Sequence, residues 1–485
     1  MLVDTNAGVS LRTARMQELE EKRELCRDIY GGTDSMIMAG KEWLPQHPAE
    51  SDDNYRLRLS QNILTNFVKQ AIIKASGKLF SKSTKLNDDV PGELVNICEN
   101  IDLKGRNLNS YFYNRMTKAF LDGVSFVLVD VPVADGVVTR AEEKQRNIRP
   151  YTVSVDAENL LEALMLLEDG VIVLTRVRIL ETRMEPTTSP WLFTPLSQVR
   201  VLYRNPGGFV TYEIYREVVD KKMHSWVIAE SGTTTFREIP LVPFYTNRVA
   251  AMEGEPVFQE TAELNLEHWR TKSEQLHGLL YGRFAMLAGS GVADNSKIEV
   301  GPSKKLLSSD PQSKFYYVET NGVGLEHGWR HMEKIEKSIE TASATLRMET
   351  QGRVTATAAS IESEEVNATL KVVAQEMKFA IERVLQLMAE QLQLATGGTV
   401  KVHDEFGLQK GTDIGLQEVD KLVQLGAVSN NSAIRNLKWR GELPEDFDVE
   451  LNAAELQMQY SLLVPADNSG GGGGQTPPAA DEGNQ

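Results

Sequence analysis

The chain has 485 residues and a mass of 54.1 kDa, of which 41% are hydrophobic and 25% charged. That is enough to bury a large core over roughly two to four domains, and too apolar for general disorder. The formal net charge of -16 argues against a generic basic surface that grips nucleic-acid phosphates. No run approaches the roughly eighteen uncharged apolar residues of a membrane span.

The first residues, MLVDTNAGVSLRTARMQELEEK, carry acids and bases where a secretory leader has an apolar stretch, so secretion is not expected. Cys26 and Cys98 support neither a disulfide framework nor a Cys-based zinc site, which points to a reducing compartment.

Residues 10 to 30 have charge-rich helical spacing, with Leu11, Met16, Leu19 and Leu25 on or near one face, and GGT at 31 to 33 ends it. The Pro-punctuated WLPQHPAESD follows, with Ser51 and Asp52 as N-cap candidates for a second helical run from Asp52 to about Leu79. A further helix is expected from Asn109 to Asp122, and Gly123 then leads into the buried strand VSFVLVDV. From about 150 to 246 the pattern changes to short strands, VIVLTRVRIL, QVRVLYR, GFVTYEIYREV, HSWVIAE and LVPFYT, several of them alternating apolar and charged residues. That is the signature of a half-exposed antiparallel sheet, and it makes the chain α+β and predominantly helical.

After Pro256 a helix is expected to about residue 282, then a compact segment of 283 to 325 with strand candidates FAMLA, KIEVG and KFYYVET. Helical spacing resumes from Glu326 to about Met348, its apolar stripe marked by Met332, Ile335 and Ile339. Each flanking helix is about 30 to 40 Å long at 1.5 Å per residue, so the pair forms a stalk with a knob. The stretch LRMETQGRVTATAASIESEE, 346 to 365, then interrupts two long helical segments. A third helix runs from about Ala356 to Leu394, with Val366, Leu370, Val373, Met377, Ile381, Val384 and Met388 in its stripe. A shorter helical region spans Asp413 to Trp439, and NSGGGGGQTPPAADEGNQ closes the chain with the composition of a disordered tail. No internal repeat is evident.

No catalytic constellation emerges. His327 and His331 stand four apart, a spacing that can chelate a metal, but GWR occupies the position where a metalloprotease carries its glutamate. These two, with His268 and His277, read as solvated or interface histidines. LAGSGVADNSK at 287 to 297 lacks the Gly-Lys-Ser/Thr ending of a phosphate-binding loop, and no G-x-S-x-G occurs. No metal, cofactor or enzymatic activity is expected.

Several stretches resemble phage portal proteins of the podovirus and prophage type. They are WLPQHPAESDDNYRLRLSQ at 43 to 61, GKLF at 77 to 80, ENIDLKGRNLNSYFYNRMTKAFLDGVSFVLVDVP at 99 to 132, ETAELNLEHWRTKSEQLHGLL at 260 to 280, and EVDKLVQLGAVSNNSAIRNLKWRGELPEDFD near the C-terminus. The resemblance covers most of the chain, as loose patterns of residue types.

It implies a homo-oligomeric ring, usually a dodecamer, at one capsid vertex of the virion, assembled in the host cytoplasm and not in a membrane. Double-stranded DNA passes its central channel without sequence preference, and terminase, a tail adaptor, the major capsid protein and scaffolding protein are its partners. The implied regions are a wing at 1–255, stem helices at 256–282 and 326–348, a clip at 283–325, and a tunnel loop at 349–359. A long wing helix at 360–396, a crown at 397–465 and the tail at 466–485 complete them. The net charge of -16 suits a channel whose wall repels phosphate and stores no binding energy.

Gln351, Gly352, Arg353, Val354 and Thr355 would then face DNA. From their residue types alone they form an ordinary helix-to-helix turn around Gly352. Lys304, Lys305 and Lys314 would dock acidic surfaces of terminase or adaptor, against the plainer reading as solvated loop lysines. The competing class is a helical virion scaffold or adaptor without a DNA channel. More distant is a metal-dependent hydrolase using His327 and His331.

Overall fold

The computed structural model describes residues 8–132, 136, 139, 142, 145–187, 191–220, 223–283, 286–290, 312, 314–318, 323–344, 356–404 and 406. It also describes scattered positions between 421 and 458. Two compact units divide the chain at Phe406.

In the first unit, helix α1 (Ala14–Gly31) starts where the Thr13 side chain accepts the Met16 N–H. It stops at Gly32, whose φ of 93° only glycine adopts readily. Helix α2 (Thr33–Ala39) follows, then α3 (Asp52–Gln61), whose N-cap Ser51 accepts from Asn54. Helix α4 (Phe67–Leu79) is a separate element, so the single run expected from Asp52 to Leu79 is broken. The cause is polar. Asn62 takes an extended conformation (φ -86°, ψ 94°), and Asn66 turns its side chain back to cap α4 at Lys69.

Strand β1 (Lys85–Leu86) and helices α5 (Gly92–Cys98) and α6 (Leu108–Asp122) come next. Gly123 ends α6 in the left-handed region and opens β2 (Val124–Asp130), which is buried over nearly its whole length as its β-branched run predicts. Strand β2 is the centre of a three-stranded antiparallel sheet, between β3 (Tyr151–Val155) and β9 (Leu241–Tyr245).

A second sheet is a meander of β4 (Leu160–Glu168), β5 (Val171–Pro186), β6 (Phe193–Tyr203), β7 (Thr211–Asp220) and β8 (Met223–Thr233). The α+β reading holds for the described residues. The Asp156-to-Asn159 connection between β3 and β4 has neither Gly nor Pro, and LLEALMLLE reads as apolar without a clear period. Its partners decide the matter, since β4 pairs along β5 from Leu160↔Ile179 to Glu168↔Val171. Glu162 is clamped there by Arg176 and Arg178, each at 2.9 Å.

Short strands β10 (Arg248–Ala250) and β11 (Glu253–Gly254) lead into α7 (Gln259–Arg283). Beyond it lie an antiparallel hairpin of β12 (Met286–Ser290) and β13 (Lys314–Val318), α8 (Val323–Ala344), α9 (Ala356–Gln391) and β14 (Val400–Lys401), which returns to pair with β1.

One core joins α1, α4, α6, β2 and β9 to Trp269 of α7 and to Leu370, Val373, Met377, Ile381, Val384 and Met388 of α9. From Leu370 onward the α9 stripe is therefore packing within the chain, as its three-and-four spacing allows. Among the described residues no helix is long and apolar enough to cross a membrane.

In the second unit, described positions at 421, 424, 432, 434–435, 450–455 and 458 are helical, and Asp448 caps the last stretch at Glu450 and Leu451.

Candidate functional site

Helices α7 and α8 form an antiparallel arm with the β12–β13 hairpin beyond its far end. Met332, Ile335 and Ile339 are buried along the seam, the stripe their spacing predicts. Gly328 lets Gln275 cross that seam, for a Cβ there would stand 1.1 Å from Gln275 Nε2. Two cross-helix pairs mark its two edges. His268 Nε2 lies 3.1 Å from Glu336 Oε1 on one side, and His331 Nε2 lies 3.4 Å from Glu267 Oε1 on the other.

His268 is 2% exposed, which excludes the solvated alternative of the solvated-or-interface expectation. It packs edge-on against Phe67 with ring centroids 5.4 Å apart. Desolvation lowers its pKa against the opposing pull of Glu336, so a neutral ring donating its Nε2–H to the Glu336 carboxylate fits the seam.

The arm is seated in a socket built from the break between α3 and α4. Trp269 is fully buried, its Nε1 donates to the Asn62 carbonyl at 3.2 Å, and its own carbonyl accepts from Asn62 Nδ2 at 3.0 Å. Asn265 Oδ1 accepts the Phe67 N–H at 3.0 Å while its Nδ2 donates to the Thr65 carbonyl at 3.0 Å. Arg270 Nε donates to the Trp43 carbonyl at 2.6 Å. Several backbone groups of the 62–66 break are thus satisfied by α7 side chains, and the Leu64 N–H by Thr33 Oγ1 at 3.2 Å, which is why the break persists.

Arg58 locks the rim of the socket. It makes a paired contact with Glu50 at 2.8 and 2.7 Å, donates to the Pro45 carbonyl at 3.0 Å, and reaches Ser273 Oγ of α7 at 3.3 Å. The Arg58 and Glu50 side chains are 3% and 5% exposed. The Arg58 hydrogen bonds hold the Glu50 carboxyl at about 2, down from 4.5. A depressed acid contributes stability that is fully present above about pH 4.5 and is lost as pH falls through about 2. Thermal melts between about pH 5 and about pH 2 should show wild type losing stability more steeply than Glu50→Gln. Equal slopes would mean that the pair does not couple folding to protons.

Gln351 to Thr355, Lys304 and Lys305 lie outside the described residues. Lys314 opens β13 opposite Ser290 and is exposed. The tunnel-loop range of 349–359 overruns the observed helix, since α9 already begins at Ala356. The second stem helix runs Val323–Ala344, starting three residues before the expected 326.

His331 faces Glu267, and no group of three or more His, Cys, Asp or Glu able to hold a metal occurs among the described residues. Burial pushes both the Cys26 and Cys98 thiols up to about 12, far from the thiolate a nucleophile needs. The socket asparagines escaped the sequence reading, although two asparagines inside one apolar helical run, at 62 and 66, were the available signal.

Residues 258–392 match a family model described as a domain of unknown function (DUF4055). That span takes in α7, the hairpin, α8 and α9, and is well under half of the chain. No curated protein matches. Among solved structures the chain is similar to "Neck of empty GTA particle computed with C6 symmetry", at 10% identity and a TM-score of 0.40, covering 84% of this chain and 98% of that one. It is likewise similar to "Neck of native GTA particle computed with C12 symmetry", at 10% identity and a TM-score of 0.38, covering 85% and 99%.

Proposed function

We propose that the chain is the subunit of a portal-type ring in a tailed-phage particle, a structural and non-catalytic protein. The ring stands at one capsid vertex, conducts double-stranded DNA inward and later outward, and docks terminase and the tail adaptor. The observation that carries this reading is the arm: a helix, a two-stranded hairpin and an antiparallel helix, seated on an α+β body and followed by a long helix.

In these terms the α1-to-β11 body with α9 is the wing, α7 and α8 are the stem, and β12–β13 belongs to the clip. Supporting it physically, an acidic chain of net charge -16 makes a wall along which phosphates slide, because each lysine or arginine contact would add a barrier to translocation. Arg353 and its neighbours, lying between α8 and α9 in sequence, are the element this reading brings closest to DNA.

Negative-stain imaging of the purified protein should show rings with a central hole, whereas a folded monomer under every assembly condition would overturn the reading. Removing residues 350–355 is expected to leave rings intact and to reduce DNA packaging at least tenfold. Loss of folding on that deletion would make the segment a structural turn and end its assignment to the channel.

A further inference from the structure

Residues 54–87 are the longest run of the chain without an aspartate or glutamate, in a protein that has 68 of them. The same run holds Arg56, Arg58 and five lysines. A solvated surface ordinarily mixes the two signs, as α8 does where Glu326 pairs with Arg330 at 2.7 Å. The two arginines of the run are engaged by acids that precede it, Arg58 with Glu50 and Arg56 with Asp53. The lysines fall on the outer side of α4, on the turn after it and on β1.

Contacts join these lysines into one strip. Lys74 and Lys78 stand one turn apart on α4, and Lys82 follows its C-terminus. The Lys78 ammonium lies 6.0 Å from the centre of the Phe406 ring, which packs edge-on against His403 at 4.9 Å. His403 is two residues beyond Lys401, and buried Val400 and Val402 alternate with them, so Lys401 and His403 share the outer side. Lys401 in turn stands directly opposite Lys85 in the β1–β14 pair. Like charges in one cross-strand pair are unfavourable by themselves. Lys74, Lys82, Lys85 and Lys401 are exposed, and the strip ends at Asp88 and Asp89. Ile73, 46% exposed, adjoins Lys74, and Gly77 one turn on has open space where a Cβ would stand. A shallow apolar shelf thus lies beside the lysines.

We propose that this strip binds an acidic segment of a partner protein, with carboxylates against Lys74, Lys82, Lys85 and Lys401 and an apolar side chain on Ile73 and Gly77. Charge complementarity selects the partner. A DNA duplex extends well past the strip and meets a chain whose net charge is -16, and its phosphates make no use of an apolar shelf. A short acidic segment stays within about 8 Å of the lysines, the screening length at physiological salt, and so feels little of the acidic remainder. This surface stands whether or not the chain assembles into a ring.

Fluorescence anisotropy with the full chain tests it. The probe is a labelled helical peptide of glutamate, alanine and leucine, about eighteen residues long. Wild type should bind it at about 50 mM salt and release much of it at about 200 mM. Lys74→Glu with Lys82→Glu should weaken binding at least tenfold. Lys334→Glu with Lys337→Glu, an equal charge change at exposed positions of α8, should alter it less than twofold. Ile73→Ser keeps every charge and should weaken binding several-fold.

Failure of wild type to bind the peptide at low salt, or equal losses in the α4 and α8 variants, would overturn the strip as a site. A duplex of about twenty base pairs that binds more tightly than the peptide would overturn the acidic segment as its occupant. Each variant is to keep the circular dichroism of wild type. Should the reversed α4 variant fail to fold, Lys74→Gln with Lys82→Gln removes the charges without adding acids. It should weaken binding several-fold, and unchanged binding overturns the proposal.

Discussion

Gly123→Ala is expected to destabilise the first unit by about 3 kcal/mol or more, among the largest effects of any single methyl group in the chain. Gly123 sits at φ 83°, ψ -22°, which costs a residue with a Cβ about 1 kcal/mol. The larger part is contact. A Cβ there would lie 2.1 Å from the Glu255 carbonyl oxygen and 2.4 Å from the Glu255 nitrogen, all backbone atoms with no rotamer to yield.

Its own carbonyl accepts the N–H groups of Thr246 and Asn247 at 3.0 and 3.2 Å, and the buried Arg23 ties the Asp122 and Gly254 carbonyls together at 3.0 and 2.6 Å. The crossing therefore cannot open without releasing the strand that leads into α7. Gly105→Ala separates strain from contact, since Gly105 has φ 88° with nothing within 4 Å. It should cost only about 1 kcal/mol. Equal losses for the two variants in urea unfolding would show that the crossing carries no steric load.

The same glycine illustrates how much was legible beforehand. The α6–Gly123–β2 turn could be read from the residues, because a 3.6-residue period gives way to a β-branched run at a single glycine. The α8 and α9 stripes were equally plain. What was not readable depends on partners distant in the chain. The break at Asn62–Asn66 is held by Asn265 and Trp269, about two hundred positions away, and β4 is a strand because β5 pairs with it. Local propensity contains neither fact.

The pairing across the two edges of the α7–α8 seam was likewise hidden. Its residues were all visible, but only the His268–Glu336 and His331–Glu267 contacts say which side of the helix is which. Lys304, Lys305 and the 351–355 segment were chosen through resemblance, so their assignment stands or falls with the ring.

Trp269→Ala is the second large effect, expected at about 4 kcal/mol of lost stability. The side chain is 0% exposed within the core shared by α4, α6 and α7, so truncation leaves a cavity that rigid helices on several sides cannot fill. It also strips the Asn62 carbonyl of its 3.2 Å donor; leaving such a buried acceptor unpaired costs about 1–3 kcal/mol and is part of the total.

Trp269→Phe keeps most of the volume and loses only the N–H, so it should fall between wild type and Ala, at about 1–2 kcal/mol. Unfolding should be followed by far-ultraviolet circular dichroism, since the substitution removes a fluorophore. A loss below about 1 kcal/mol for Trp269→Ala would mean that the arm is held by its polar contacts with residues 62–66 and not by the indole. Because the socket helps to orient α7, and α8 packs along α7, the Ala variant should also lower the ring fraction although Trp269 is buried within its own chain. Rings of undiminished yield from a folded Trp269→Ala chain would show that arm seating and assembly are independent.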